Sequence, residues 1–551
     1  MEEMLSDVLI IGGGAAASRA AYEAKRNYPN LKVSLVTSGK YGLSGSSNLI
    51  ASESLGINAP FNFMKDGDNC EIYLQDILTT GDGLSDPKLC KIIADEACDR
   101  VRELMDLGLK FDNYSNHPFQ KKLSGCTKAR SLTCSGSTGR EIVRVLKNAN
   151  SNLGVQIIEN IRILRLLKDS RKRVCGAIGF KKEGRKILFL TKAIVLATGG
   201  AGRIFKKNVN PPTLEGDGWS MAYQVGAKMV NMEFFQVGPA VVSPKIQFII
   251  HTHLWHLKPK LTNTRGEEFL ANYTPKGISP EEVIKAKAMS YPFSVRTIAK
   301  YLDIAIFKEI MAGRCTVNDG IYFDVTHIGE RKLKQLAPIT YNTLKNVGID
   351  LARNKIELGL VVQNFNGGIL IDENGFTGIE GLYAAGEVTG GVHGADRPGG
   401  NNLIDTQVFG YRAGVTAANF AYKLKKKKYY KPETKDTIFN LDETKNKEFK
   451  KILNYSTEIY YRNSTVVRNA EGLKDILKFI NKYRKNKIQN DILTNRLLVG
   501  EIIALSALTR KESRGTHYRE DFPSIDPFWG KQIIISQDIN GKPIIRFRKF
   551  K

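Results

Sequence analysis

Residues 7–17 read Asp-Val-Leu-Ile-Ile-Gly-Gly-Gly-Ala-Ala-Ala. An apolar run ends in Gly12, Gly13 and Gly14, and a small-residue helix follows from Ala15, Ala16 and Ala17 to Ala24. Leu31-Lys-Val-Ser-Leu-Val36 then returns as a second buried strand. Strand, glycine turn, helix and strand in that order make a βαβ unit, which opens a Rossmann-like α/β domain. Gly12 permits the tight turn, and Gly14 lets the backbone approach a pyrophosphate. The small Ala17 allows close helix–strand packing, and the helix N-terminus favours the anion. At a first βα junction, Gly12-x-Gly14-x-x-Ala17 reads as a dinucleotide signal rather than an ordinary glycine-rich turn.

The second strand ends in Val36-Thr37-Ser38-Gly39-Lys40. A simple NAD site places a carboxylate there for the ribose; here Ser38 offers only a hydroxyl, which argues against NAD. A further glycine-rich strand end lies far downstream at Ala197-Thr198-Gly199-Gly200, Gly216-Asp217-Gly218 follows it, and Gly381-Leu-Tyr-Ala-Ala-Gly-Glu387 is another strand ending in glycine and an acid. They bracket a segment of different pattern. A two-part domain of this kind suits FAD lying extended across a sheet, with Glu387 placed to bond a ribose from the second part.

The chain therefore divides into a first part of the FAD-binding domain (1–235), an inserted α+β capping domain (236–350), a second part (351–422) and a C-terminal helical domain (430–551). Apolar spacing predicts a helix over 84–111. Lys423 and Lys425 to Lys428, before Pro432, read as a solvated linker. Ile533–Ser536 and Pro543–Arg546, joined through Asn540-Gly541, predict a terminal hairpin.

With 551 residues, 42% of them apolar and 25% charged, the composition is that of a globular protein of more than one domain. No run of 18 apolar residues occurs, so no direct membrane span is expected, and the Met-Glu-Glu-Met start does not read as a signal peptide. None of the seven cysteines forms a CxxC pair, which argues against an iron–sulfur cluster or zinc knuckle within the chain. Scattered thiols fit a reducing cytoplasm. The net charge of +26 leaves three readings open: nucleic acid, an acidic lipid or partner surface, or a lysine-rich solvated surface. No nucleic-acid motif accompanies it.

These pieces, in this order, resemble the flavoprotein family of succinate dehydrogenase, fumarate reductase and L-aspartate oxidase. Ser46-Ser47 with Ala51, Thr138-Gly139-Arg140, Tyr322-Phe-Asp324, His393-Gly-Ala-Asp-Arg397 and Gly400-Asn401 join the motifs above. So do Val467-Arg-Asn469 and the long signature Arg510-Lys-Glu-Ser-Arg-Gly-Thr-His-Tyr-Arg-Glu-Asp-Phe-Pro523. The resemblance implies hydride transfer between flavin N5 and a C–C or C–N bond beside a carboxylate, in a site that excludes water. It places Arg397 as the clamp on a substrate carboxylate, with His393 in the same stretch, and Arg296 as the proton-shuttling acid/base. Gly12 to Ala17, Ser38, Ser46, Ser47, Ala51, Ala197, Thr198, Gly199, Asp217, Glu387, Asn402 and Leu403 fall at cofactor-contacting positions.

Three departures qualify the resemblance. The family's dehydrogenase and reductase complexes carry a histidine near Ser46-Ser47 that bonds covalently to the flavin; Gly45-Ser-Ser-Asn-Leu-Ile-Ala51 has none. FAD is therefore expected to be noncovalent, which favours fumarate-like reduction or an oxidase role. Gly238, in Gln236-Val-Gly-Pro239, replaces one substrate-binding histidine and is expected to open space. Gln363, in Gln363-Asn-Phe-Asn-Gly-Gly368, replaces another and keeps hydrogen-bonding capacity without charge. His251, His253 and His256, on an expected loop, could supply the lost contacts, form a metal cluster or be exposed loop histidines.

The function read from the sequence is thus an FAD-dependent oxidoreductase acting on a carboxylate-bearing substrate. The alternatives are an L-aspartate oxidase-like enzyme or a nonenzymatic flavin-carrying electron-transfer subunit. Electrons are expected to pass through a partner, for which an iron–sulfur subunit is one candidate, or to oxygen, and the expected location is cytoplasmic, with attachment to the inner face of a membrane through partner subunits as an alternative.

Overall fold

In the computed structural model the chain is described except for residues 1, 50–52, 54, 116, 244–247, 251, 425–428, 434–446, 486–489 and 551. Ala51, His251 and the Lys425–Lys428 run fall outside the described residues.

The glycine turn sits where the sequence places it. The strand Glu2–Ile11 pairs in parallel with Val33–Val36 on one side and Lys186–Leu196 on the other. Gln156–Ile158 extends one edge in parallel, and Leu382–Ala384 pairs in parallel with Lys186–Leu196. Ile161–Lys168 and Val174–Lys181 complete the sheet as antiparallel strands. Val8 to Ile11 and Val33 to Val36 are buried because helices cover the sheet, so these strands are apolar on both faces. The helix Ala15–Asn27 packs against the long helix Asn401–Lys423, and small residues on both let the backbones approach.

The capping sheet is antiparallel. Its strands lie in the order Phe248–Ile249, Phe235–Ser243, Ile356–Phe365, Ile321–Asp324 and Lys260–Thr262. Ile356–Phe365 pairs with Phe235–Ser243 along nearly its whole length, so the inserted sheet runs on past residue 350. Helices Pro280–Lys287 and Lys300–Met311 pack beside it, tied by a fully buried Lys287–Asp303 ion pair at 2.6 Å. The predicted helix over 84–111 is Pro87–Asp106, started by Asp86, whose side chain accepts from the Lys88 N–H.

Helices Lys447–Ser464, Ala470–Lys485 and Asp491–Thr509 form the C-terminal helical unit. Among the described residues, Asp491–Thr509 is the one helix long and apolar enough to cross a membrane, and two-thirds of it is buried inside the protein. The terminal hairpin is present as Gln532–Gln537 and Pro543–Arg548. It does not stand apart: its first strand pairs with Met229–Val230, in one sheet with Gly368–Leu370 and Thr389–Gly390.

Candidate active site

One long cavity runs from the glycine turn to the capping sheet. It is lined at one end by Gly12, Gly13, Gly14, Ser38, Arg162 and Asp217, and at the other by Gln236, Tyr291, Gln363 and Arg397. Gly12 has φ 139°, and a Cβ there would lie 2.1 Å from the Ala197 carbonyl oxygen, so the turn excludes any side chain. Ser47 Oγ accepts from the Ala15 N–H at 3.2 Å, binding the Ser46-Ser47 segment to the helix N-terminus. Ser38 Oγ and Thr213 Oγ1 lie 2.9 Å apart on the cavity wall.

At this end Arg162, which the sequence did not single out, bonds Asp217 at 2.7 Å and Glu215 at 2.9 Å. Burial works against the Arg162 charge, but the two carboxylates outweigh it and hold the guanidinium above its ordinary value. Burial raises the Asp217 carboxyl despite Arg162. Nothing in the strand's sequence singles Arg162 out, because Arg165 and Lys168 lie in the same strand.

Ala16, Ser46, Ala197, Thr198, Gly199, Glu387, Asn402 and Leu403 also line the cavity; Ala17 is buried behind it, against the strand. The helix Asn401–Lys423 points its N-terminus here from Gly400, itself in the left-handed conformation. Glu387 accepts from the Phe365 N–H at 3.2 Å, and burial pushes its carboxyl up to about 7. Several buried polar atoms of the wall lack a protein partner: Thr198 Oγ1, Asn210 Oδ1, Gln236 Oε1, Gln363 Oε1 and Arg397 Nε. A long, polar ligand that meets the glycine turn at one end and Thr198 and Asn210 along its length fits an extended dinucleotide, and the Gln236, Gln363 and Arg397 atoms lie beyond it at the capping end.

The substrate end differs from expectation in three ways. Gly238 does not open space. Its ideal Cβ position lies 2.5 Å from the Tyr291 Oη, so the tyrosine ring occupies the volume a larger residue would need. Tyr291 arrives from the segment after helix Pro280–Lys287, anchored where its N–H donates to Ser124 Oγ at 3.2 Å and the Phe293 N–H donates to the Val237 carbonyl at 2.8 Å. Second, His393 is buried, does not line the cavity, and lies 3.6 Å from Asp405. Third, Arg296 is exposed and outside the cavity wall, though close enough to Asp396 to favour that carboxylate's charge.

Arg397 lies in the wall, and burial holds its guanidinium below the ordinary value. Its own N–H donates to Asp396 Oδ1 at 2.8 Å, and Gln236 Nε2 donates to the same oxygen at 3.1 Å. His253 is in a short helix, Thr252–Trp255, rather than a loop. Its Nε2 lies 3.1 Å from Glu53 and 3.0 Å from Thr340, while His256 is exposed. Neither lines the cavity, and no metal-holding cluster occurs among the described residues.

With this geometry in place, comparison with known proteins is decisive. A profile described as FAD binding domain matches residues 7–403, and one described as fumarate reductase flavoprotein C-term matches 488–551. The chain belongs to the succinate dehydrogenase, fumarate reductase and L-aspartate oxidase flavoprotein family. It is 31% identical to a fumarate reductase (CoM/CoB) subunit of Methanothermobacter marburgensis, over 96% of this chain and 97% of that one. It is 29% identical to L-aspartate oxidase of Yersinia pestis, over 95% and 97% of the two chains. The solved structure of Mycobacterium smegmatis Sdh1 in complex with UQ1 superposes with a TM-score of 0.85 at 26% identity, covering 100% of this chain and 95% of that one. The protein is an FAD-dependent oxidoreductase with the α/β, capping and helical architecture of that family.

Proposed function

We propose that this flavoprotein binds FAD without a covalent bond and exchanges a hydride with a carboxylate-bearing substrate held by Arg397. The observation that carries the reading is Arg397 itself: a half-buried arginine in the cavity wall whose buried Nε lacks a protein partner and whose guanidinium is bonded to no carboxylate side chain. Such a group is unsatisfied until an anion arrives. When bound, FAD supplies the hydride chemistry. The glycine turn, the Ser38–Thr213 wall, Asp217 and the N-terminus at Asn402 and Leu403 would hold it, and Glu387 would bond its polyol or ribose hydroxyls. The capping sheet and Tyr291 exclude water from the reacting end.

No histidine lines the cavity among the described residues, which supports a noncovalent flavin. The acid/base role of Arg296 requires its exposed side chain to turn inward past Asp396. Electrons leave the flavin through an iron–sulfur partner protein or directly to oxygen; the fumarate reductase subunit and L-aspartate oxidase among the relatives support one route each. The test is direct. Purified protein is expected to be yellow, and acid precipitation to leave all flavin in the supernatant. Anaerobic succinate or L-aspartate bleaches the flavin, or carboxylated alkenes reoxidise the photoreduced form. Protein that stays colourless after incubation with FAD sinks the reading.

A further inference from the structure

The charged groups that line the cavity are few. Arg162, Asp217, Glu387 and Arg397 are all of them among the described residues, and Arg162 is committed to Asp217 and Glu215 at the other end. Arg397 is therefore the one cation lining the substrate end among the described residues. Arg296 is exposed and outside the wall, near enough to Asp396 to favour that carboxylate's charge. Tyr291, neutral because burial raises its phenol well above the ordinary value, fills the space over Gly238.

The orientation of Gln236 adds a second constraint. As a carboxylate, Asp396 can only accept, and its Oδ1, which already takes the Arg397 N–H, faces Gln236 as an acceptor. The Gln236 amide must turn its NH₂ toward that oxygen, as it does at 3.1 Å. This fixes Oε1 as the free end: a buried acceptor in a cavity-lining residue with no partner. A carboxylate there would meet an acceptor, whereas a hydroxyl or amide N–H would satisfy it. Gln363, whose Oε1 is also unpartnered, lines the same cavity.

We propose that the site takes a substrate with a single carboxylate, held by Arg397, and a neutral hydrogen-bond donor at its other end, received by Gln236. The substrate class is then an enoate, or its saturated counterpart, carrying a hydroxyl or carboxamide in place of a second carboxylate. In the reducing direction a hydride from reduced FAD and one proton add across the C=C bond; the flavin is oxidised and the alkene reduced. The proposal rests on the carboxylate reading above.

The experiment uses the oxidised holoprotein, which cannot reduce an enoate, so binding is measured without turnover. Calorimetric titration with fumaramate and with fumarate is expected to show at least tenfold tighter binding of the monoamide. Equal or tighter binding of fumarate overturns the proposal. The double variant G238H/Y291A replaces the tyrosine by an imidazole and is expected to narrow or reverse the ratio in favour of fumarate. Because the wild-type comparison stands alone, a variant that fails to fold does not remove the test. If neither compound binds and neither reoxidises the photoreduced flavin, the carboxylate reading fails with it; if fumarate alone does both, only the single-carboxylate proposal fails.

Discussion

The N–H of Thr516 donates to the carbonyl of Ala395 at 3.0 Å. That bond joins the C-terminal signature to the stretch that carries Asp396 and Arg397. The carbonyl of Gly515 next to it accepts from the Val295 N–H at 2.8 Å, so the same loop also holds the segment between Tyr291 and Arg296. Behind the loop, Arg510 bonds Glu233 and Glu512, and Arg514 bonds Glu512 and Asp82, in a mostly buried network. A signature nearly 120 residues downstream of Arg397 thus acts as a brace for both sides of the substrate end.

Gly515→Ala tests the brace. Gly515 has φ 50°, and a Cβ there would lie 2.3 Å from the Ala395 carbonyl oxygen, a backbone atom with no room to move. Left-handed strain and overpacking together are expected to cost about 3 kcal/mol in urea unfolding. Carboxylate affinity should fall more than FAD affinity, because the loop touches the Arg397 side of the cavity. Equal losses for both ligands would mean that the loop stabilises the fold without positioning the site.

Glu387 makes stability depend on pH in a defined direction. Its folded-state carboxyl titrates at about 7, above the ordinary 4.5, because burial disfavours the charge. The native state then holds a proton that the unfolded chain has lost, so stability falls as pH rises from about 4.5 through 7. Against Glu387→Gln, the apoprotein should lose at most about 3 kcal/mol over that window. Parallel pH profiles of the two proteins would show that Glu387 carries no such load.

The cofactor end was readable because its chemistry is local in sequence. Gly12 to Ala17 form the turn that the pattern describes, Asp217 opens a helix behind Gly216, and Glu387 follows the strand Leu382–Ala384. The substrate end was readable only as a set of losses. Gly238 and Gln363 were visible as missing histidines, but the occupant of the Gly238 space comes from Tyr291, on a segment across the capping insertion. No local pattern links the two. The same holds for Arg162, whose partners Glu215 and Asp217 meet it only through tertiary packing, and for His393, which burial beside Asp405 keeps out of the cavity. The strand Ile356–Phe365 reads as sequence close to the second FAD segment, yet its pairing with Phe235–Ser243 commits it to the capping sheet.

Arg162→Ala should separate cofactor affinity from carboxylate affinity. Removal leaves Asp217, already raised by burial, without its cation, while Glu215 keeps Arg496 at 2.5 Å. An uncompensated buried carboxylate costs about 3 kcal/mol. The Asp217 carboxyl rises further in the variant, so the deficit against wild type should grow as pH rises and shrink in acid, where protonation relieves it. Calorimetry of the apoprotein with FAD should show at least tenfold weaker binding near neutral pH. A deficit independent of pH would show that Arg162 acts through packing alone.

Gly238→Ala, taken with Tyr291→Ala, tests the seat of the tyrosine. An added Cβ would approach Tyr291 Oη to 2.5 Å and its ring carbons to 2.6 and 2.7 Å, inside any tolerable contact. The ring cannot retreat freely, because its backbone is held by Ser124 and, through Phe293, by Val237. Gly238→Ala alone is therefore expected to destabilise by about 2 kcal/mol through overpacking. With Tyr291 truncated, the same methyl fills part of the vacated volume and should be neutral or stabilising. The two changes should then couple by more than about 1 kcal/mol, a signature of direct contact. In the carboxylate titration, displacement of the ring toward Arg397 should weaken binding in the single variant, and removal of the ring should restore it. Additive effects in both measurements would place Tyr291 away from Gly238 in solution.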